Sequence, residues 1–403
     1  MKSFLLVLLS LLSSRAFAIF IPEQMEEIDR EDQFDSEEFM DYLAFRFPKD
    51  WEERWRDSWQ GFRTTVGSLD CCHFRIDQEL KLRLPVTSRV AFRYNLLQQE
   101  DQDLEEFHQF LEFETRAVGP FYASVWGEPH FNKEEHDAGF ALTYRKSIRR
   151  FLRLSYLYVD FDFNKRTNSA NRYVDFPQTF RAEGEWHLPA RWDLLFFFER
   201  DIPTLFNNAE EGLLYHYNRT QAKIDLRYDR FLKNILGGLL AYEHKREGEA
   251  FNTAELTVND IDYQRNLWTV EGYYEREWGV WGKFTLGLQW IKRETDTEQP
   301  HSPQNENQFA RTEWIPYLLY QKPWLSWLTP HLGYVFGNIA RTREFPNNPA
   351  SDFDSFEPEH KGIWMLEFHP KESLRLILNA NWDLDEIVNH PWDGGNAMLQ
   401  ATF

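Results

Sequence analysis

The stretch Phe74 to Leu84, FRIDQELKLRL, decides how the chain is read. Phe74, Ile76, Leu80, Leu82 and Leu84 fall at even numbers, while Arg75, Asp77, Glu79, Lys81 and Arg83 fall at odd ones. Successive side chains of a strand point to opposite faces, so this spacing predicts a strand with one apolar and one charged face. A helical stripe would need apolar residues three and four apart.

The same rhythm returns in VAFRYNL, FLRLSYLY, FRAEGEWHL (180–188), AKIDLRY, KFTLGLQW and LRLILNANW. The connections alternate in length. Short ones are PVTS (85–88), GP (119–120), RKSIRR (145–150), PAR (189–191), DRFLK (229–233), GV (279–280), QKPWLS (321–326) and PKES (370–373). Long polar stretches lie between them, such as EHKREGEAFNTAELTVNDIDYQ and KRETDTEQPHSPQNENQ. This two-stroke pattern suits an up-and-down antiparallel β-barrel that crosses a membrane, with tight turns at one end and long loops at the other. Greek-key sandwiches do not produce it. Trp186 and Trp192, Trp278 and Trp281, and Trp324 and Trp327 cluster at short turns, where amphipathic rings meet a membrane interface.

Composition agrees. The 403 residues carry 65 acidic against 45 basic side chains, a formal charge of -20, which argues against nucleic acid as a partner. Aromatic residues reach 17%, with 35 Phe and 16 Trp, although the mean hydropathy is only -0.61. The start, MKSFLLVLLSLLSSRAFA, has a basic residue, a short apolar run and an Ala16-Phe17-Ala18 ending. It reads as a signal peptide over 1–18, too short to span a bilayer.

The chain ends NAMLQATF, with Ala397, Leu399, Ala401 and Phe403 at alternate positions. This ending, joined to the features above, resembles bacterial outer-membrane β-barrel proteins, porin-like in size. The resemblance implies that the last strand closes the barrel and is the signal read by the barrel-assembly machinery. It further implies a multi-pass protein of the Gram-negative outer membrane, in contact with lipid and lipopolysaccharide. An ascending strand in GFRTTVGSLD (61–70) brings the expected number to about eighteen, with sixteen as the fallback, since such barrels carry even numbers.

With the apolar parity facing lipid, the other parity is expected to line a pore. The candidates are Arg75, Asp77, Glu79, Lys81, Arg83, Arg89, Arg93, Glu112, Glu114, Arg116, Glu183, Glu185, Lys223, Asp225, Arg227, Glu271 and Glu275. Their mixed signs suggest cross-strand ion pairs, a transverse field or a self-neutralising wall. Apolar residues share this parity: Leu157 and Phe161, Leu195 and Phe197, Ile235 and Leu239, Ile315 and Leu319, Ile363 and Met365. They suit either a plug or a path for an apolar solute.

Residues 19–60 form a separate acidic segment. Within it PKDWEERWRDSWQGF predicts a short amphipathic helix, with Asp50 as a cap and Trp51, Trp55 and Trp59 on one face. It could lie at the periplasmic interface, plug the lumen or bind a periplasmic partner.

No catalytic spacing is present: there is no G-x-S-x-G, H-E-x-x-H, Walker A loop or G-x-G-x-x-G. The expectation is a non-enzyme without cofactor or metal. Asp160 and Asp162 read as a solvated strand end, and His187 and His369 as wall residues. The adjacent Cys71 and Cys72, beside His73, could form a strained disulfide, bind a soft metal or do neither. The leading expectation is a channel for small hydrophilic solutes. The alternatives are a plugged channel for hydrophobic compounds, or a scaffold sheathing a partner protein or exported polymer.

Overall fold

A computed structural model describes residues 60–68, 74–87, 89–100, 105–128, 137–147, 150–160, 172–189, 191–208, 213–229, 234–251, 261–299, 303–385 and 392–403. The signal peptide, the Trp51–Trp55–Trp59 helix, the Cys71–Cys72 pair, Phe161 and Asp162 lie outside them.

The alternating sequence builds a continuous antiparallel meander. Its first half is β1 (Gly61–Ser68), β2 (Phe74–Pro85), β3 (Val90–Glu100), β4 (Glu105–Val118), β5 (Phe121–Gly127), β6 (Ala138–Ser147), β7 (Arg150–Tyr158), β8 (Arg172–Asp175), β9 (Gln178–Leu188), β10 (Trp192–Ile202) and β11 (Thr204–Asn208). The second half is β12 (Leu213–Asp229), β13 (Asn234–Phe251), β14 (Ile261–Glu277), β15 (Lys283–Glu298), β16 (Asn307–Gln321), β17 (Leu328–Glu344), β18 (Phe353–Lys371), β19 (Leu374–Asp383) and β20 (Trp392–Thr402). β1 pairs with both β2 and β20, so the sheet closes on itself.

Two of these segments continue their neighbours. Pro177 separates β8 from β9 and Pro203 separates β10 from β11, at facing levels of one hairpin. Proline cannot donate to the ladder, so each wall strand breaks there and resumes. The barrel therefore has eighteen wall strands, the number expected from the sequence.

Closure without an edge satisfies every strand's backbone groups within the wall, the condition for crossing a lipid core. Outward positions are large and apolar: Phe113, Phe140, Leu142, Ile224, Leu240, Val270, Leu286, Leu288, Trp314 and Leu332 are all exposed. Rings pack against one another at the short-turn end, as in Trp192–Tyr228 at 4.6 Å and Phe284–Tyr320 at 4.7 Å, both tilted. A second level appears further up the strands, with Tyr242–Trp268 at 4.3 Å and Trp290–Trp314 at 6.2 Å. The tight connection after β4 turns at Gly119, whose φ of 57° is left-handed and suits glycine.

The wall is uneven in height. β12 to β18 run to 15–19 residues each, beyond the roughly 9–11 that cross a membrane. Much of what reads as loop in the sequence, including 243–251 and 292–298, continues as paired strand. Past the lipid both faces meet water, so the apolar alternation stops while the hydrogen-bond ladder goes on.

Inside the barrel, buried apolar side chains gather in three clusters. Ile291, Ile315, Tyr317, Val335, Ile339 and Ile363 form the largest; Phe206, Tyr215 and Tyr217 form a second; Met365, Ile377 and Met398 form a third.

Candidate functional site: the inward face of the wall

The inward face begins with a charge network on the first third of the barrel. Glu114 on β4 is reached by Arg93 of β3 at 3.2 Å, Arg145 of β6 at 2.9 Å and Arg83 of β2 at 3.6 Å. Glu112, one inward step along, meets Arg153 of β7 at 2.6 Å and Arg93 at 3.7 Å. Arg153 then passes on to Glu183 of β9 at 3.4 Å. Both carboxylates are almost wholly shielded, at 1% and 2% exposed. Buried charges are tolerated only when paired and hydrogen-bonded, and each glutamate here has at least two guanidinium neighbours.

The reach across β5 and β6 depends on small side chains. Ser124 and Thr143 occupy the inward positions between Glu114, Glu112 and Arg153.

The network continues beyond the candidates read from the sequence. Glu199 bonds Arg181 and lies 3.1 Å from Arg219, which also meets Asp201 at 3.4 Å. Glu243 takes Arg265 at 2.5 Å and a bond from Gln221. Lys245 and Glu247 pair at 3.3 Å, and Arg311 and Glu313 at 2.6 Å, all four buried. All share the odd-numbered parity of Lys223 and Asp225 or of Glu271. Their parity carries the signal, but these residues sit in or beside polar stretches that read as loops.

The candidates distribute as follows. Glu79 pairs with Arg63 and with Lys81, each at 2.5 Å. Asp77 keeps the inward register, as does Arg75, of which only the backbone is described. Glu185 lies 3.8 Å from His187, and Asp225 is buried opposite Leu195 and Leu239. Lys223 stands opposite Phe197. Glu271 accepts the Tyr317 hydroxyl at 2.6 Å. Two candidates lie at the turn end of the wall. Arg89 sits in the β2–β3 turn, its backbone N–H donating to Thr87 Oγ1 at 3.2 Å. Arg116, at the exposed end of β4, donates from Nε to the Gly119 carbonyl at 2.8 Å. Both arginines finish a turn instead of entering the network.

At the short-turn end lies a cavity of about 130 Å³, lined by Ile235, Tyr273, Tyr317, Leu319, Ile363 and Met365 among others. Charge pairs flank it: Glu275 with Lys283 at 3.2 Å, and Glu367 with His331 at 3.1 Å. Arg227 also borders it. Glu367 is held further by His369 at 2.8 Å and by Arg375 Nε at 2.5 Å. Among the described residues no group of three or more His, Cys, Asp or Glu is placed to hold a metal ion. Asp160 caps a strand end, accepting from Tyr173 at 2.7 Å while its own N–H donates to Asp137.

The last strand closes the wall through its alternate residues. Ala397, Leu399 and Ala401 stand opposite Val66, Thr64 and Phe62, and the Phe403 N–H donates to the Gln60 carbonyl at 3.1 Å. An apolar exterior, a charged and interlocked interior, and closure of the last strand on the first are now all in view. The architecture is a closed antiparallel β-barrel of eighteen wall strands with an apolar outer face.

No protein-family description matches the chain, and no curated protein matches it in sequence. Solved structures of outer-membrane β-barrels do align with it at low identity. OpdK of Pseudomonas aeruginosa, solved with vanillate, is 14% identical over 85% of this chain and 96% of that one, with a TM-score of 0.42. A loop L8 deletion mutant of the Vibrio cholerae outer-membrane protein OmpT is 10% identical over 85% and 97%, at 0.40. The translocator domain of the autotransporter NalP from Neisseria meningitidis is 8% identical over 91% and 96%, at 0.34.

Proposed function

We propose that the barrel is a bacterial outer-membrane channel that passes small hydrophilic solutes. The observation that carries this reading is the inward charge network, which runs from β1 to β19 around a closed wall. A soluble β-barrel fills its interior with apolar side chains, whereas this one sets acids and bases over much of its inward face, beside three apolar clusters. The wall of the path in this reading is formed by Glu79, Lys81, Arg83, Lys223, Arg227 and Glu275, with Arg93, Glu112, Glu114, Glu183, Glu185, Asp225 and Glu271 buried in the network that braces it.

In the same reading the protein is exported through its signal peptide. The Ala397–Phe403 strand presents it to the barrel-assembly machinery, and its exterior meets lipid and lipopolysaccharide. The acidic segment 19–60 serves in this reading as a plug, an interface anchor or the docking element for a periplasmic partner.

Proteoliposome swelling tests the proposal. Vesicles carrying the refolded protein should swell in small uncharged and charged solutes, with rates that fall as solute size rises. Swelling no faster than in protein-free vesicles would count against an open path.

A second reading has its own observation. Ile291, Ile315, Tyr317, Val335, Ile339 and Ile363 give the inward face a continuous apolar patch, which suits the passage of a hydrophobic compound past a plug. Uptake of an apolar solute that is lost on making Ile315→Asn would favour it over the first.

A further inference from the structure

Four rings gather on the outer face of β14–β16, at the short-turn end. Trp278 and Trp281 bracket the turn between β14 and β15, where the Trp278 N–H donates to the Gly282 carbonyl at 2.8 Å and the Trp281 N–H to the Trp278 carbonyl at 3.1 Å. Phe284 on β15 and Tyr320 on β16 stand opposite each other, on the parity of the exposed Leu286 and Leu318. Ring centroids lie 5.0 Å apart for Trp278–Phe284 and 4.7 Å for Phe284–Tyr320. Together the four rings line an open recess of about 390 Å³. Its walls are accessible, since Trp278 is 49% and Trp281 70% exposed.

Two cations border the recess. Arg276 is exposed on the outward parity of β14, and its guanidinium lies 5.4 Å from the centroid of the Trp278 ring. The Lys322 stem lies on the other side, so close that a Cβ at Gly282 would meet Lys322 Cβ and a Tyr320 ring carbon at 3.0 Å each. Among the described residues neither cation is in an ion pair. The acids of the same strand end take the other parity: Glu275 meets Lys283 at 3.2 Å, and Glu277 stands opposite Lys283 in the ladder. The outer face here is therefore aromatic and positively charged.

We propose that this recess is a binding site for an anionic phospholipid, one with a phosphodiester headgroup and no amine, in the leaflet at the short-turn end. The proposal rests on the outer-membrane reading, in which short turns face the periplasm, and not on what the barrel passes. Arg276 and Lys322 take the phosphate oxygens, to which a guanidinium offers several N–H donors. The rings take the glycerol backbone and the first acyl carbons, as amphipathic rings do at a membrane interface. Rings alone would suit any lipid. Two uncompensated cations beside them select for net negative charge. A headgroup carrying an ammonium would set a like charge against Arg276 and Lys322. Lipopolysaccharide, in this reading, meets the other end of the wall.

The test uses the refolded full-length protein in phosphatidylcholine vesicles. Quenching of tryptophan fluorescence by trace brominated phosphatidylglycerol is compared with quenching by the same amount of brominated phosphatidylcholine. Stronger, saturable quenching by the anionic lipid is expected. Arg276→Gln with Lys322→Gln should lower its apparent affinity about tenfold or more, and leave quenching by phosphatidylcholine as it was. Lys146→Gln with Lys371→Gln, at exposed positions of two other short turns, should leave the preference intact. Trp278→Phe with Trp281→Phe keeps rings at the recess but removes its indoles, and should abolish most of the excess quenching. Equal quenching by the two lipids, an unchanged affinity in the Arg276 and Lys322 variant, or an equal loss in the Lys146 and Lys371 variant would each overturn the site. Conductance does not enter this readout, so a silent barrel with the lipid preference removes the channel reading alone. Protein that enters neither vesicle overturns the site together with the membrane reading.

Discussion

Arg153 on β7 donates to Glu112 on β4 at 2.6 Å, across two intervening strands. Neither residue is adjacent to the other in the sheet. The contact exists because the inward positions between them are small, so the guanidinium can lie flat over the wall and meet a carboxylate that Arg93 also approaches.

Glu112→Leu alone should therefore destabilise the barrel by about 3 kcal/mol, because Arg153 and Arg93 stay buried with one acceptor fewer. The double variant Glu112→Leu with Arg153→Met should regain most of that loss. Urea unfolding in lipid vesicles measures both, and equal costs for the single and double variants would argue against the coupling.

Tyr317 depends on Gly287 in a similar way. A Cβ at Gly287 would meet the Tyr317 ring at 2.1 Å, so the ring can cover the wall only above a glycine. Gly287→Ala should displace the ring and break its 2.6 Å bond to Glu271, costing roughly 1–3 kcal/mol. Tyr317→Phe, which keeps the ring, should cost less than the glycine change.

The outward face gives a test that depends on depth. Leu288 lies in the apolar band of β15, whereas Glu294 lies further up the same strand on the same parity. Leu288→Arg should cost about 2–4 kcal/mol in lipid, and Glu294→Arg close to nothing. Equal costs at the two positions would misplace the membrane boundary.

Phe403 is exposed at 70%, and its wall contact is made by its backbone N–H. Replacing it with Ala should leave refolding in vitro nearly unchanged. Its amount in the outer membrane of cells should fall several-fold, if the side chain is read by the assembly machinery. Unchanged levels in cells would remove that role.

Much of this structure was legible as alternation. The odd and even residues of Phe74–Leu84 separate cleanly, and β1 lies where the count of runs required an ascending strand. Other features were hidden for physical reasons. The upper parts of β13 and β15 have no apolar face once they leave the lipid, so Lys245, Glu247 and Arg293 read as loop. The Arg153–Glu112 bond depends on the stagger between strands, which a single chain's periodicity does not carry.

The most direct measurement is single-channel conductance of the refolded protein in a planar bilayer, beside a variant lacking residues 19–60. Discrete, steady openings are expected in the full-length protein, or in the truncated one if the N-terminal segment closes the lumen. Folded protein that stays silent in both forms would contradict the channel.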